Sequence, residues 1–189
     1  DLQGIYDAVG EKLRTIFDAQ TISINTASFK NRVVHGVYNY EKGKKFEPFD
    51  VPMNSLYEDA IKREGAYIME DFPAFAKKFK DYKVPQGEMP RSFISSTVYQ
   101  NKEADIWVGI AIQDMDGIRT FNESDLRLLD TVSKAMGIAL QNALSFKAEQ
   151  ERVAELQIIN TVQEGLAKQL DFRSIVDMIG EKVGEIFKA

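Results

Sequence analysis

Residues Ile106 to Asp114 alternate without a break. Ile106, Val108, Ile110 and Ile112 point one way, and Trp107, Gly109, Ala111 and Gln113 the other, as in a strand whose two faces meet different surroundings. Phe93–Asn101 is a second strand-like run. The polar link Lys102-Glu103-Ala104-Asp105 joins the two into a hairpin. An Asp116-Gly117 turn follows, and from Asn122 the hydrophobic period changes from strand-like to helical. Leu126, Leu129, Val132, Met136, Ala139 and Ala143 then share one face. Asn122 is the expected N-cap, with Glu123 and Asp125 in the first turn, where carboxylates suit the positive end of the helix dipole. Ala135, Gly137, Ala139 and Ala143 are small enough to let another helix come close. No Gly or Pro interrupts the pattern between Ser145 and Gly165. A helix from Asn122 to Gln169 would be about 70 Å long at the usual rise per residue, longer than one domain needs.

The first half of the chain predicts a smaller set of elements. Residues 1–17 form an amphipathic helix with Leu2, Ile5, Val9, Leu13 and Ile16 on one face and Asp1 as N-cap. Thr21–Phe29 and Arg32–Tyr40 read as a hairpin, with Val33, His35 and Val37 on one face and Val34, Gly36, Tyr38 and Tyr40 on the other. His35 reads there as a partly solvated face residue. Glu41–Asn54 is polar, contains two prolines and reads as a loop. Ser55–Arg63 predicts a short helix, with Ser55 as cap and Glu58 as its capping-box partner. Tyr67–Glu70 reads as a short strand.

Asp71–Arg91 is the most individual stretch. Phe72, Phe75, Phe79 and Tyr82 are spaced as a stripe on one helix face, with Lys77, Lys78 and Lys80 off it. Such a stripe packs on a core, or it forms a lid over a pocket with Lys83 and Arg91 near an anionic ligand. Pro85, Gly87 and Pro90 make Val84–Pro90 a flexible connector suited to a lid. The expected pocket lies between the sheet and residues 67–93, bordered by Asp71, Phe72, Phe75, Phe79, Arg91, Ser95 and Tyr99.

The opening of the chain recurs near its end. Shifted by 170 residues, Asp1, Ile5, Asp7, Gly10, Glu11, Lys12, Ile16 and Phe17 are identical to Asp171, Ile175, Asp177, Gly180, Glu181, Lys182, Ile186 and Phe187. A repeat at a domain-length period predicts one complete unit followed by the first helix of a second. The expected division is residues 1–147 for the domain, 148–170 for a coiled-coil-like helical linker, and 171–189 for the repeated helix. Asp171 reads as the N-cap of the second copy.

Composition narrows the function. The net charge of −5 argues against a nucleic-acid surface. No apolar run approaches the ~20 residues that span a bilayer, and no signal peptide precedes Asp1. The chain reads as a cytoplasmic piece of something longer. It has no cysteine and a single histidine, His35, which removes thiolate metal sites, cysteine nucleophiles, multi-histidine metal sites and a Ser-His-Asp triad. No cofactor, metal or catalytic residue is expected. Asp114-Met115-Asp116-Gly117 lacks the further carboxylates of a calcium loop and reads as a turn.

Together the order of elements, the run Ile106-Trp107-Val108-Gly109-Ile110-Ala111-Ile112, the pattern Phe121-x-x-x-Asp125-Leu126 and the Leu/Ala-rich helix through Asn142-Ala143 resemble a GAF domain over residues 1–147. The resemblance implies an α+β, three-layer α/β/α GAF/PAS-like fold. Its central antiparallel sheet has the order 2-1-5-4-3, with the first and last helices on one face and a ligand pocket on the other. Cyclic-nucleotide-binding members carry an Asn-Lys pair after the last strand and Asp-Glu in the later motif. Here Gln113-Asp114 and Leu126 stand instead, so cyclic AMP and cyclic GMP are expected not to bind. Bilin attachment and sulfoxide reduction through cysteine are excluded for want of one, and a lone strand histidine does not support haem.

The resulting expectation is a non-enzymatic sensory domain of a bacterial, cytoplasmic, tandem-domain signalling protein. It would bind an unknown small molecule and pass its state to a downstream output domain through a dimeric helix. Leu156, Ile159, Gln163, Leu166 and Leu170 form the heptad seam of a parallel homodimer. The alternative is a ligand-free dimerising spacer.

Overall fold

The computed structural model describes residues 2–63, 65–117 and 121–186. These fall into two compact units that divide between Ala143 and Leu144. In chain order the elements are α1 (Leu2–Phe17), β1 (Thr21–Ser28), β2 (Val33–Glu41), β3 (Lys44–Phe46), β4 (Phe49–Pro52), α2 (Ser55–Lys62), β5 (Ala66–Met69), α3 (Phe72–Ala76), β6 (Ser92–Asn101), β7 (Ile106–Asp114) and α4 (Glu123–Ile186). Asp1 and Phe187 lie outside the described residues.

The sheet of the first unit is antiparallel, in the order β3-β2-β1-β7-β6-β5, with β4 also paired to β2. Its five-strand centre, β2-β1-β7-β6-β5, has the expected order. The strands β3 and β4 replace the predicted loop over Glu41–Asn54. Lys42 and Gly43 both take positive φ, 45° and 89°, and so make a tight left-handed turn that lays Lys44 beside Glu41. The prolines sit where they do no harm, Pro48 between the two short strands and Pro52 at the end of β4.

One face of the sheet is closed by α1 and the first part of α4. Tyr6, Leu13 and Phe17 of α1 pack with Ile22, Ile24, Tyr38, Ile94, Val108, Ile110 and Ile112 of the sheet and Leu129, Met136 and Leu140 of α4. Two glycines set how close the helices come. A methyl at Gly10 would run into the Tyr38 ring, and one at Gly137 would lie 2.5 Å from the Val98 carbonyl oxygen. Of the small residues of α4, Gly137 admits the sheet, whereas Ala135 and Ala139 stay exposed. Leu140 takes the buried place expected of Ala139. Tyr38 is fully buried, yet its hydroxyl donates to Glu11 Oε1 at 2.9 Å. Burial first, and that carboxylate second, push the phenol well above its ordinary pKa.

Asn122 caps α4 as predicted. Its Oδ1 accepts from the N–H groups of Ser124 and Asp125, while Asp125 Oδ2 accepts from Asn122 N–H at 3.0 Å. The Phe-x-x-x-Asp spacing is therefore a capping box, with Phe121 buried just before it. At α2 the cap is Asn54 and not Ser55, because Asn54 Oδ1 reaches the N–H groups of Leu56 and Tyr57. Glu58 instead pairs with Arg32 at 2.6 Å. His35 is half-exposed and lies 2.6 Å from Asp50, its cross-strand partner.

In the second unit α4 continues through Gly165 and Asp171 without interruption, so Asp171 caps no helix here. No described helix is long and apolar enough to cross a membrane.

Candidate functional site

The opposite face of the sheet is only partly covered. A cavity of about 140 Å³ lies over it. Its floor is the second set of alternating positions: Thr21, Ser23 and Asn25 from β1, Asn39 from β2, Ser95 from β6, and Trp107, Gly109, Ala111 and Gln113 from β7. Its walls come from Phe46 and Phe49, from Leu56, Tyr57 and Ala60 of α2, from Phe72 of α3 and from the segment Tyr82–Pro90.

Two bulges decide which side chains reach this floor. Ile24 faces Tyr38 across the β1–β2 pair and Asn25 faces Gly36, leaving Val37 as an extra residue. The extra residue reverses the alternation of β2. Val34 packs on the cavity side with Trp107, Tyr38 on the helix side, and Asn39 on the cavity side again. The simple two-face reading of Arg32–Tyr40 fails at this point. In the β6–β7 pair Thr97 faces Gly109 and Tyr99 faces Val108, so Val98 is extra. Tyr99 is turned by it onto the helix-side core. Gly36 leaves room for the Phe49 ring and the Asn39 amide, and Gly109 for the Trp107 ring.

The polar groups of the floor are unequally satisfied. Gln113 Nε2 donates to Ser23 Oγ at 3.1 Å, and Ser95 Oγ donates to the Ile110 carbonyl at 2.8 Å. Thr21 Oγ1, Asn39 Nδ2 and Trp107 Nε1 are buried without any hydrogen-bond partner among the described residues. Most buried polar groups in proteins are paired, and leaving one unpaired is unfavourable by about 1–3 kcal/mol. Three of the four such atoms among the described residues belong to residues that line this cavity, and the fourth is Ser133 Oγ on α4. The charged residues among its described lining are Glu41 and Glu88, with no lysine, arginine or histidine. Burial raises the phenols of Tyr57 and Tyr67, and pushes that of Tyr82 up to about 12, so all three stay neutral at pH 7.

The segment over the cavity is fastened at several points. Phe72 N–H donates to the Arg91 carbonyl and Arg91 N–H to that of Asp114. Asp81 accepts from both the N–H and the hydroxyl of Ser55, which holds its carboxyl below the ordinary range. Lys42 pairs with Glu88 at 3.2 Å and Asp116 at 3.1 Å.

No protein-family model and no curated protein matches the chain. Solved structures do. A methyl-accepting chemotaxis protein fragment is 14% identical, with a TM-score of 0.59 over 75% of this chain and 88% of the other. The GAF domain of an Acinetobacter phosphoenolpyruvate-protein phosphotransferase is 13% identical, with a TM-score of 0.52 over 75% and 84%. The third GAF domain of a Synechocystis protein, in its photoproduct state, is 12% identical, with a TM-score of 0.52 over 79% and 99%. The chain has the fold of a GAF domain. At these identities the likeness is one of fold.

Within this GAF fold, Phe72 and Ser95 line the cavity, and Asp71, Phe75, Phe79, Arg91 and Tyr99 are not among its lining residues. Asp71 caps α3, accepting from Ala74 N–H at 3.0 Å. The aromatic stripe is helical only over Phe72–Ala76. Phe75 within that span, and Phe79 and Tyr82 beyond it, close into a small cluster around Phe72 and Phe93, with the Phe72 ring edge-on to Tyr82 at 5.7 Å and to Phe93 at 5.2 Å. The Arg63 guanidinium covers Phe75 at 5.3 Å. The stripe is thus part core and part wall. Sequence reasoning did not find Thr21, Asn39, Trp107 or the walls from β3, β4 and α2. The Trp107–Gly109–Ala111–Gln113 face was legible in the alternation, but nothing marked it as the cavity floor.

Proposed function

We propose that this chain is a small-molecule-sensing regulatory domain of a multidomain signalling protein, and not an enzyme. The observation that carries this reading is the cavity whose floor holds Thr21, Asn39 and Trp107 with unpaired buried polar atoms. A spacer with a filled core has no use for such groups. The fold is shared with domains from a chemotaxis protein and a phosphotransferase, which supports a signalling role. A ligand on the floor would touch β1 and β7, whose other faces pack against α1 and α4. Occupancy would then bias the packing of α4.

The output is carried by a parallel homodimer through α4. Leu156, Ile159, Leu166 and Leu170, half or more exposed in the single chain, form its seam together with Gln163. The repeated segment 171–189 is the first helix of a second domain of the same kind. Five exposed apolar residues support this: Phe172, Ile175, Val176, Ile179 and Val183. They are the counterparts of Leu2, Ile5, Tyr6, Val9 and Leu13, all of which pack on the sheet through α1. Gly180-Glu181 repeats Gly10-Glu11, the pair that admits the Tyr38 ring and accepts its hydroxyl.

Native mass spectrometry of the protein purified from its own host tests the sensor reading. The expected spectrum shows a retained small molecule that is lost in Ala111→Leu, which fills the floor. A bare mass for the wild type, from host extracts and after incubation with them, would favour the ligand-free spacer.

A further inference from the structure

The three lining residues that hold unpaired buried polar atoms differ in what they offer a ligand. Asn39 Nδ2 and Trp107 Nε1 are donors only, whereas the Thr21 hydroxyl can donate or accept. All three residues are at least nine-tenths buried. A ligand that offers only hydrogen atoms would leave both nitrogens unmet, so the floor calls for acceptors. The charged side chains of the described lining are both acidic, Glu41 and Glu88, the latter paired with Lys42 at 3.2 Å, and that lining includes no lysine, arginine or histidine. The volume sets the size, because an apolar cavity of about 150 Å³ holds one benzene ring. The walls offer ring faces and edges from Phe72, Tyr82 and Phe93.

Resting on the sensor reading above, we infer that the cavity takes a ring-sized molecule that brings carbonyl or ring-nitrogen acceptors and carries no negative charge. Carboxylates and phosphates of the same size are turned away. Asn39 and Trp107 donate to the acceptors, and Thr21 supplies the third contact. The Val37 bulge matters here, because without the extra residue Asn39 would share the helix-side face and the floor would lose one of its two obligate donors.

The single tryptophan makes this testable in solution. Trp107 is the only indole in the chain, so one Nε1–H resonance in a ¹⁵N correlation spectrum reports the floor directly. Three ring-sized probes separate the chemistry: benzamide brings an acceptor and no charge, toluene neither, and benzoate acceptors with a negative charge. The expected result is a saturable shift with benzamide, at a dissociation constant at least tenfold below those of toluene and benzoate. Asn39→Leu should erase most of the advantage over toluene. If that variant does not fold, the probe ranking on the wild-type chain decides alone. Toluene or benzoate binding as tightly as benzamide would overturn the ligand class and leave the cavity reading intact, since the resonance would still respond. An indole resonance unmoved by every probe would also overturn the class, and the mass spectrum would then judge the cavity separately.

Discussion

The two faces of the sheet are made by the same strands and built to opposite rules. On β7, Val108, Ile110 and Ile112 disappear into a core closed by α1 and α4. The alternate residues Trp107, Gly109, Ala111 and Gln113 line a cavity. On β1, Ile22 and Ile24 are fully buried among apolar groups, while Thr21 lies buried beside them with an unpaired hydroxyl. The helix face fills its volume and leaves one buried polar atom unpaired among the described residues, Ser133 Oγ of α4. The cavity face leaves its volume open and holds three such atoms. Places where a protein departs from filled volume and satisfied polar atoms are where function is expected. On the sensor reading proposed above, one face is frame and the other is recognition.

The comparison breaks most readily on the helix face. Ile110→Ala should lower the unfolding free energy by about 2–5 kcal/mol, the range for truncating a buried aliphatic residue. Equilibrium urea denaturation measures it, and a loss under 1 kcal/mol would mean that this face is not the frame. Gly137→Ala should come next, at about 1–3 kcal/mol. The added methyl meets the Val98 carbonyl, which is backbone within a paired strand and cannot swing aside. A Gly137→Ala chain as stable as wild type would show that α4 rides higher on the sheet.

Association sharpens the contrast from outside the domain. Ile159→Asp with Leu166→Asp should convert a light-scattering dimer into a monomer with an unchanged far-ultraviolet spectrum. A wild-type chain that is monomeric at high micromolar concentration would contradict the seam.

A smaller effect concerns the turn between β1 and β2. Asp105 accepts from Ser28 Oγ at 2.6 Å and from the N–H groups of Phe29 and Lys30. The Ser28 hydroxyl, followed by those backbone groups, holds its carboxyl below the ordinary range. A depressed carboxylate contributes stability above its unfolded pKa of about 3.9, and loses it as the pH falls through the lower folded value. Asp105→Asn, which tolerates the residue's positive φ of 57°, should reduce stability at neutral pH and flatten the acid limb between pH ~4 and below. An acid limb identical to wild type would remove Asp105 from that account.

Much of this architecture was legible in the chain, for physical reasons. The alternation along Ile106–Asp114 is uninterrupted, and the cap at Asn122 is written in its side chain and that of Asp125. What was hidden lay in the exceptions. A bulge has no composition of its own, and Val37 and Val98 look like any other strand valine. Each reverses the alternation after it. One brings Asn39 into the cavity, and the other takes Tyr99 out of it. Lys42-Gly43 makes a tight turn without the usual Asn-Gly signal, so the polar sequence around it does not mark β3 and β4. The spacing of Phe72, Phe75, Phe79 and Tyr82 suited a helix, but the helix stops at Ala76 and a ring cluster holds the rest. At Asp171 the local cap signal was overridden by a helix already propagating through it.

The least disruptive substitution tests the division between the faces most directly. Thr21→Val keeps the shape of a side chain buried at the edge of the floor and removes only the hydroxyl, which has no partner among the described residues. Its ligand-free unfolding free energy, measured by urea denaturation beside that of Ile110→Ala, should be unchanged or up to about 1 kcal/mol higher, because an unpaired buried polar group is lost. A decrease of about 1 kcal/mol or more would show that the Thr21 hydroxyl is paired within the fold. The cavity face would then obey the same rules as the helix face, and the assignment of recognition to it would fail.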